Sequence, residues 1–248
     1  MEERRLLISS MQAAIFCSEL LISNKEEFIY HVVQETNDFL KGEPTILPIP
    51  DDAPPEIPRI ILKSKTYPYS CNFCKNRFDF FYKEQEKPNK TLEEVFPNFR
   101  NILDRLIAYV KTSLNIKVIR LGFIPNFVIE LKESGNEYLL REYLHPNLFL
   151  NPYEVQINIL HKLELEPFKV NRWIKLKPLR MRSNIKDDRR ILIEIDINTL
   201  SEEMHDFSPD QIKQFIVFAY DHIRDKVISC LLYTSDAADD MQCVDLGG

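Results

Sequence analysis

Glu194 and Asp196 stand two apart in Leu192-Ile193-Glu194-Ile195-Asp196, a stretch that reads as a strand, so both carboxylates project from one face. A pair placed this way can serve a hard divalent metal or an acid/base step, and Asp79 stands in a similar setting in the first half of the chain. The plainer reading is a solvated sheet face, or pairing with Arg189 and Arg190, because nothing in the sequence supplies the remaining ligands. Cys71-Asn72-Phe73-Cys74 has the spacing of redox and zinc sites. Here it falls in strand-like surroundings, where residues i and i+3 point to opposite faces, so the spacing predicts diverging, inert thiols. His31, His145, His161, His205 and His222 are scattered without a second ligand at helical spacing, and the glycines form no phosphate-binding loop. No cofactor or metal is expected from these residues.

The strongest charge feature is the segment from Lys169 to Arg190. It holds Lys169, Arg172, Lys175, Lys177, Arg180, Arg182, Lys186, Arg189 and Arg190 against Asp187 and Asp188, with Trp173 among them. A strand and loop of this composition could present Lys169, Arg172, Lys175, Lys177, Arg180 and Arg182 to phosphates, with Trp173 for stacking. Alternation opposes this, since Arg172 and Lys175 fall on opposite faces, and an edge strand defended by lysines has the same appearance.

The elements that must position these residues follow an order that occurs twice. A strand over 13–22 is followed by a helix from Ser23-Asn24 to about Leu40, with Phe28, Val32, Thr36 and Leu40 on one face. A short apolar stretch at Ile46, a Pro-rich loop over 51–58, and antiparallel strands over 60–63 and 70–82 come next. Phe78, Phe80 and Tyr82 share one face of the last strand, with Arg77, Asp79 and Phe81 on the other. Thr91 and Glu94 then start a long helix through Phe99, Leu103, Leu106, Val110 and Leu114, with Pro97 early in it or kinking it. The second half has a strand over 117–131 interrupted at Pro125, a short helix begun by Ser134 and Glu137, strands over 154–166, 168–181 and 190–197, and a helix capped by Ser208 with Pro209 and Gln211 behind it. Both halves read βαβββα. The fold class is therefore α+β, two similar halves (1–115 and 116–229) with antiparallel sheets packed on helices, and the shared order suggests a duplication.

No apolar run is long enough to span a bilayer, and the opening Met1-Glu2-Glu3-Arg4-Arg5 is unlike a secretory leader, so the expected location is cytoplasmic without membrane contact. The end of the chain is unusual. Cys230-Leu231-Leu232-Tyr233-Thr234-Ser235-Asp236-Ala237-Ala238-Asp239-Asp240 resembles the in-frame translation of a transposase adaptor used in sequencing libraries, and 243–248 is similar to its far end. That resemblance makes 230–248 an adaptor-derived tail and not native protein. Without it the balance is 34 acids against 32 bases, so net charge selects no partner, and three cysteines remain, an odd number that fits reduced thiols.

Ile119-Arg120-Leu121-Gly122-Phe123, and Leu192-Ile193-Glu194-Ile195-Asp196 followed by Asp221-His222-Ile223-Arg224, resemble the core and the end of a sporadically distributed bacterial family of unknown function. The resemblance covers most of 60–229, while Leu7-Ile8-Ser9-Ser10-Met11 departs from the Pro-containing start of that family. It implies a cytoplasmic α+β protein and carries over no site residue. With no nucleotide, metal or nucleophile motif, and with Phe78, Phe80, Phe81, Tyr82 and Phe127 available for packing surfaces, the first expectation is a binding protein whose partner is another protein. Nucleic-acid or anion binding through 169–190 is the alternative, and a metal-dependent enzyme built on Glu194 and Asp196 the third.

Overall fold

A computed structural model of the chain describes residues 5–50, 52–85, 87–144, 152–179, 189–201 and 205–233. Its centre is β1, Leu7–Cys17, in which Ile8, Met11, Ala13 and Ile15 are buried while Ser10, Gln12 and Phe16 remain partly exposed on the other side. This alternation gives one face to the core and one to solvent. The strand begins six residues earlier than the sequence predicts, because Ser10 and Gln12 are the polar phase of an amphipathic strand, with a bulge at Ser9, and not a break before one. After Cys17 the backbone turns away and bonds to Asn76, Lys117 and Lys75.

Helix α1 (Lys25–Glu35) is capped by Asn24, whose side chain accepts from the Glu27 amide. It stops short of Leu40 where Asn37 and Asp38 take positive φ, a conformation tolerated by short polar side chains that stops an α-helix. Strands β2 (Thr45–Ile46), β3 (Ile60–Lys63), β4 (Tyr69–Phe73) and β5 (Arg77–Lys83) follow. The single strand predicted over 70–82 is thus a tight hairpin turning at 74–76. Helix α2 (Leu92–Ala108) opens on the Thr91–Glu94 capping box, holds Pro97 inside its early turns and passes into a π-helical segment, Tyr109–Ser113.

The second half comprises β6 (Val118–Glu130), α3 (Gly135–Tyr143), β7 (Ile157–Leu165), β8 (Phe168–Pro178), β9 (Arg190–Thr199) and α4 (Pro209–His222). A second π-helical segment, Ile223–Ile228, and a last turn α5 (Ser229–Tyr233) complete it. Leu231 of that turn is buried, while 234–248 lie outside the described residues. The strand β6 runs through Pro125 uninterrupted. The proline, which has no N–H, shows instead in the ladder to β9, which pairs Phe123 with Ile197 and resumes at Asn126 with Glu194, skipping Ile124 and Pro125.

The fold is α+β, and the nine strands among the described residues form one antiparallel sheet in the order β2-β3-β4-β5-β1-β6-β9-β8-β7. Where the sequence suggested two sheets, β1 and β6 pair along their length and fuse them. Each half places its first strand at the centre and then counts outward in reverse, β1-β5-β4-β3 on one side and β6-β9-β8-β7 on the other. Helix α2 packs on β1 and α4 on β6, with the two helices in contact. Phe99 meets both Phe80 and Phe123, and Phe28 of α1 meets Phe73 edge-on. The aromatics expected on a packing surface are mostly here: Phe78, Phe80, Tyr82 and Phe127 are in the core, because β5 and β6 turn that face to the helices. Among the described residues no helix is long and apolar enough to cross a membrane.

Candidate functional site

The face of the sheet turned away from α2 and α4 carries the polar phase of its central strands. Ala14 of β1 lies opposite Gly122 of β6, and with no larger side chain at either position the middle of the sheet opens into a groove of about 290 Å³. Its walls include Gln12, Phe16, Arg77, Arg120, Asn126, Glu194, Asp196 and Asn198. A Cβ at Gly122 would meet Ala14 Cβ and Ile124 Cδ1 at 3.5 Å, an ordinary contact, so the backbone does not demand glycine there. What glycine supplies is space.

At one end two guanidinium groups share the ring of Phe16, Arg120 at 5.2 Å and Arg77 at 5.6 Å from its centroid. Arg77 Nε lies 2.9 Å from Asp79 Oδ2, and Gln12 Nε2 donates to Asp79 Oδ1 at 2.9 Å, so both oxygens of this buried carboxylate are engaged. Burial raises the Asp79 pKa, against the pull of Arg77 and Gln12. Arg120 donates through Nε to the Thr199 carbonyl at 3.3 Å and through Nη2 to Asn198 Oδ1 at 3.0 Å; its Nη1 has no hydrogen-bond partner among the described residues.

At the other end Asn198 Nδ2 donates to Asp196 Oδ1 at 2.9 Å, leaving Asp196 Oδ2 without a donor among the described residues. The Asp196 pKa is raised, first by burial and, more weakly, by Glu194, with Asn198, Lys175 and Arg120 opposing. Glu194 accepts from Lys175 Nζ at 2.5 Å. The carboxylate pair read from the sequence does share a face, but its members are engaged separately, and among the described residues no three His, Cys, Asp or Glu side chains are grouped to hold a metal ion.

The basic segment divides as alternation dictates. Lys169, Trp173, Lys175 and Lys177 share the phase of Asn171, which pairs with Asn198, and so belong to the open face; Lys175 is neutralised by Glu194. Arg172 points the other way and is 1% exposed, which removes it from any surface patch. It is held by two imidazoles, His222 Nε2 at 2.9 Å and His161 Nδ1 at 2.7 Å, and its Nε is buried without a partner among the described residues. A guanidinium can only donate, so both rings accept and are neutral. Burial first, then Arg172, lowers both histidine pKa values, that of His222 to about 4 with Lys226 contributing. Arg180 and Arg182 lie outside the described residues.

The cysteines among the described residues are thiols. Cys71 pairs with Phe80 on the core side of β4, whereas Cys74 follows the strand end, and burial pushes the Cys74 pKa up to about 11 and that of Cys17 to about 12. The His205 ring lies tilted against that of Phe207, His31 lies 3.9 Å from Glu27, and His145 is outside the described residues. Sequence reasoning named Asp79, Glu194 and Asp196 but missed Gln12, Phe16, Arg77, Arg120, Asn126 and Asn198 as one surface. The signal present was the polar phase of β1 combined with the small residues Ala14 and Gly122 on that face of two long strands. No family model, curated protein or solved structure matches this chain.

Proposed function

We propose that this chain is a binding protein that works through the groove on the open face of its sheet, in the cytoplasm. The observation that carries the reading is the opening at Ala14 and Gly122, walled by polar groups with unused hydrogen-bonding capacity: Arg120 Nη1, Asp196 Oδ2 and the Asn126 amide. Concave sites with a few convergent polar groups are where ligands bind. A catalytic role for Glu194 and Asp196 as a pair has less support, because Glu194 is paired with Lys175 and only Asp196 keeps an open oxygen.

Internal duplication belongs to the same reading. One constant shift in numbering carries Thr91 onto Ser208, Glu94 onto Gln211, Val95 onto Ile212, Phe99 onto Ile216, Leu106 onto Ile223 and Asp79 onto Asp196. Capping boxes, buried helix positions and a strand aspartate thus correspond, and the groove lies where the two units meet. Kinship with the bacterial family rests on the segments quoted above.

Capture from an extract of the source cells, on columns of the native chain and of Gly122→Leu, tests the proposal. The leucine fills the groove at a position where a Cβ is tolerated. A ligand retained by the native chain and lost on the variant supports the groove; equal retention on both columns overturns it. A nucleic-acid reading keeps one specific support, Lys169, Trp173, Lys175 and Lys177 on one face. It requires retention that falls steeply with salt and survives Gly122→Leu.

A further inference from the structure

Resting on the groove as the binding surface, we propose that its ligand is a dipolar molecule of α-amino-acid chemistry, with its carboxylate on Arg120 and its ammonium group on Asp196. The side chain of Asn198 fixes the spacing. Its Oδ1 accepts from Arg120 at 3.0 Å and its Nδ2 donates to Asp196 at 2.9 Å, so one amide separates cation from anion. With amide O and N about 2.2 Å apart, the charged groups stand on the order of 6–8 Å from each other. A carboxylate and an ammonium on one carbon, each reached by a charge-assisted hydrogen bond of about 2.8 Å, require the same span.

Three further features fit this ligand better than a phosphate or a metal ion. The groove walls carry Arg77 and Arg120 against Glu194 and Asp196, a balance that favours a neutral dipole over a net charge. The groove volume of about 290 Å³ lies at the lower end of small-molecule sites. The correspondence between the halves is broken in chemistry: Asp79 is 2% exposed with both oxygens engaged, whereas Asp196 keeps one oxygen open. One site per chain follows, with Asn126 and Phe16 beside it for the remainder of the ligand.

Calorimetric titration of the intact chain with the common L-α-amino acids, each compared with its N-acetyl and its C-amide derivative, tests the proposal. The expected result is one-to-one binding of a free zwitterion, weakened about tenfold or more by either derivative. Asp196→Asn should weaken the free form but leave the N-acetyl derivative unchanged, and Arg120→Gln should do the same for the C-amide. Equal binding of free and blocked forms, or no heat with any zwitterion, overturns the ligand class. The groove itself is judged separately, by whether any source-cell ligand is lost on Gly122→Leu, so the two readings fail on different results.

Discussion

Arg172 is a buried cation whose two hydrogen-bond acceptors among the described residues are imidazoles, and that arrangement sets a pH dependence. His161 and His222 both have folded-state pKa values below the ordinary value, so the folded protein binds fewer protons there than the unfolded chain. Their contribution to stability is complete above about pH 6.5 and is lost as pH falls toward about 4, where His222 titrates in the folded state. Urea unfolding at pH 7.5 and about 5 should show this loss. It should shrink in Arg172→Met, which removes the like charge that opposes protonation. Asp196 carries the opposite sign. Its raised pKa means that ionisation works against the fold, so Asp196→Asn should unfold at the same or higher urea concentration at neutral pH while losing zwitterion binding. A large loss of stability would show that the carboxylate is structural.

The elements owe their ends to local chemistry, and their adjacency to contacts far apart in sequence. Thr91 and Ser208 each cap a helix through a reciprocal box, and alanine at either should cost about 1 kcal/mol, read from denaturation midpoints. These caps, the amphipathic faces of α2 and α4, and the alternation in β5 and β9 were legible in the sequence because each is decided within a few residues. The start of β1 was not, since Leu7–Ser10 becomes a strand by pairing with residues such as Phe127 and Lys83. Nor was the groove, because Ala14 faces Gly122 only through the β1–β6 register. The gap in the β6–β9 ladder, opposite Ile195 and Asp196, likewise depends on tertiary pairing.

The described residues form one sheet under one core, and the strand order on its two sides is alike. Phe123 of β6 touches Phe96 and Phe99 of α2, so the second half's central strand packs beneath the first half's main helix. Phe123→Ala should therefore destabilise both halves together, by about 3–5 kcal/mol. Fluorescence of Trp173 in one half and thiol accessibility of buried Cys71 in the other should report the same urea midpoint; two midpoints would separate the halves. The groove lies on the strand pair that joins them, so both halves must be folded together to form it. The most direct measurement of that claim is nuclear magnetic resonance of the intact labelled chain while fractionated source-cell extract is added. The account predicts shifts concentrated at the Gly122 backbone amide and the Asn126 and Asn198 side-chain amides, abolished in Gly122→Leu. Shifts confined to Lys169–Lys177, or unchanged by that substitution, would contradict it.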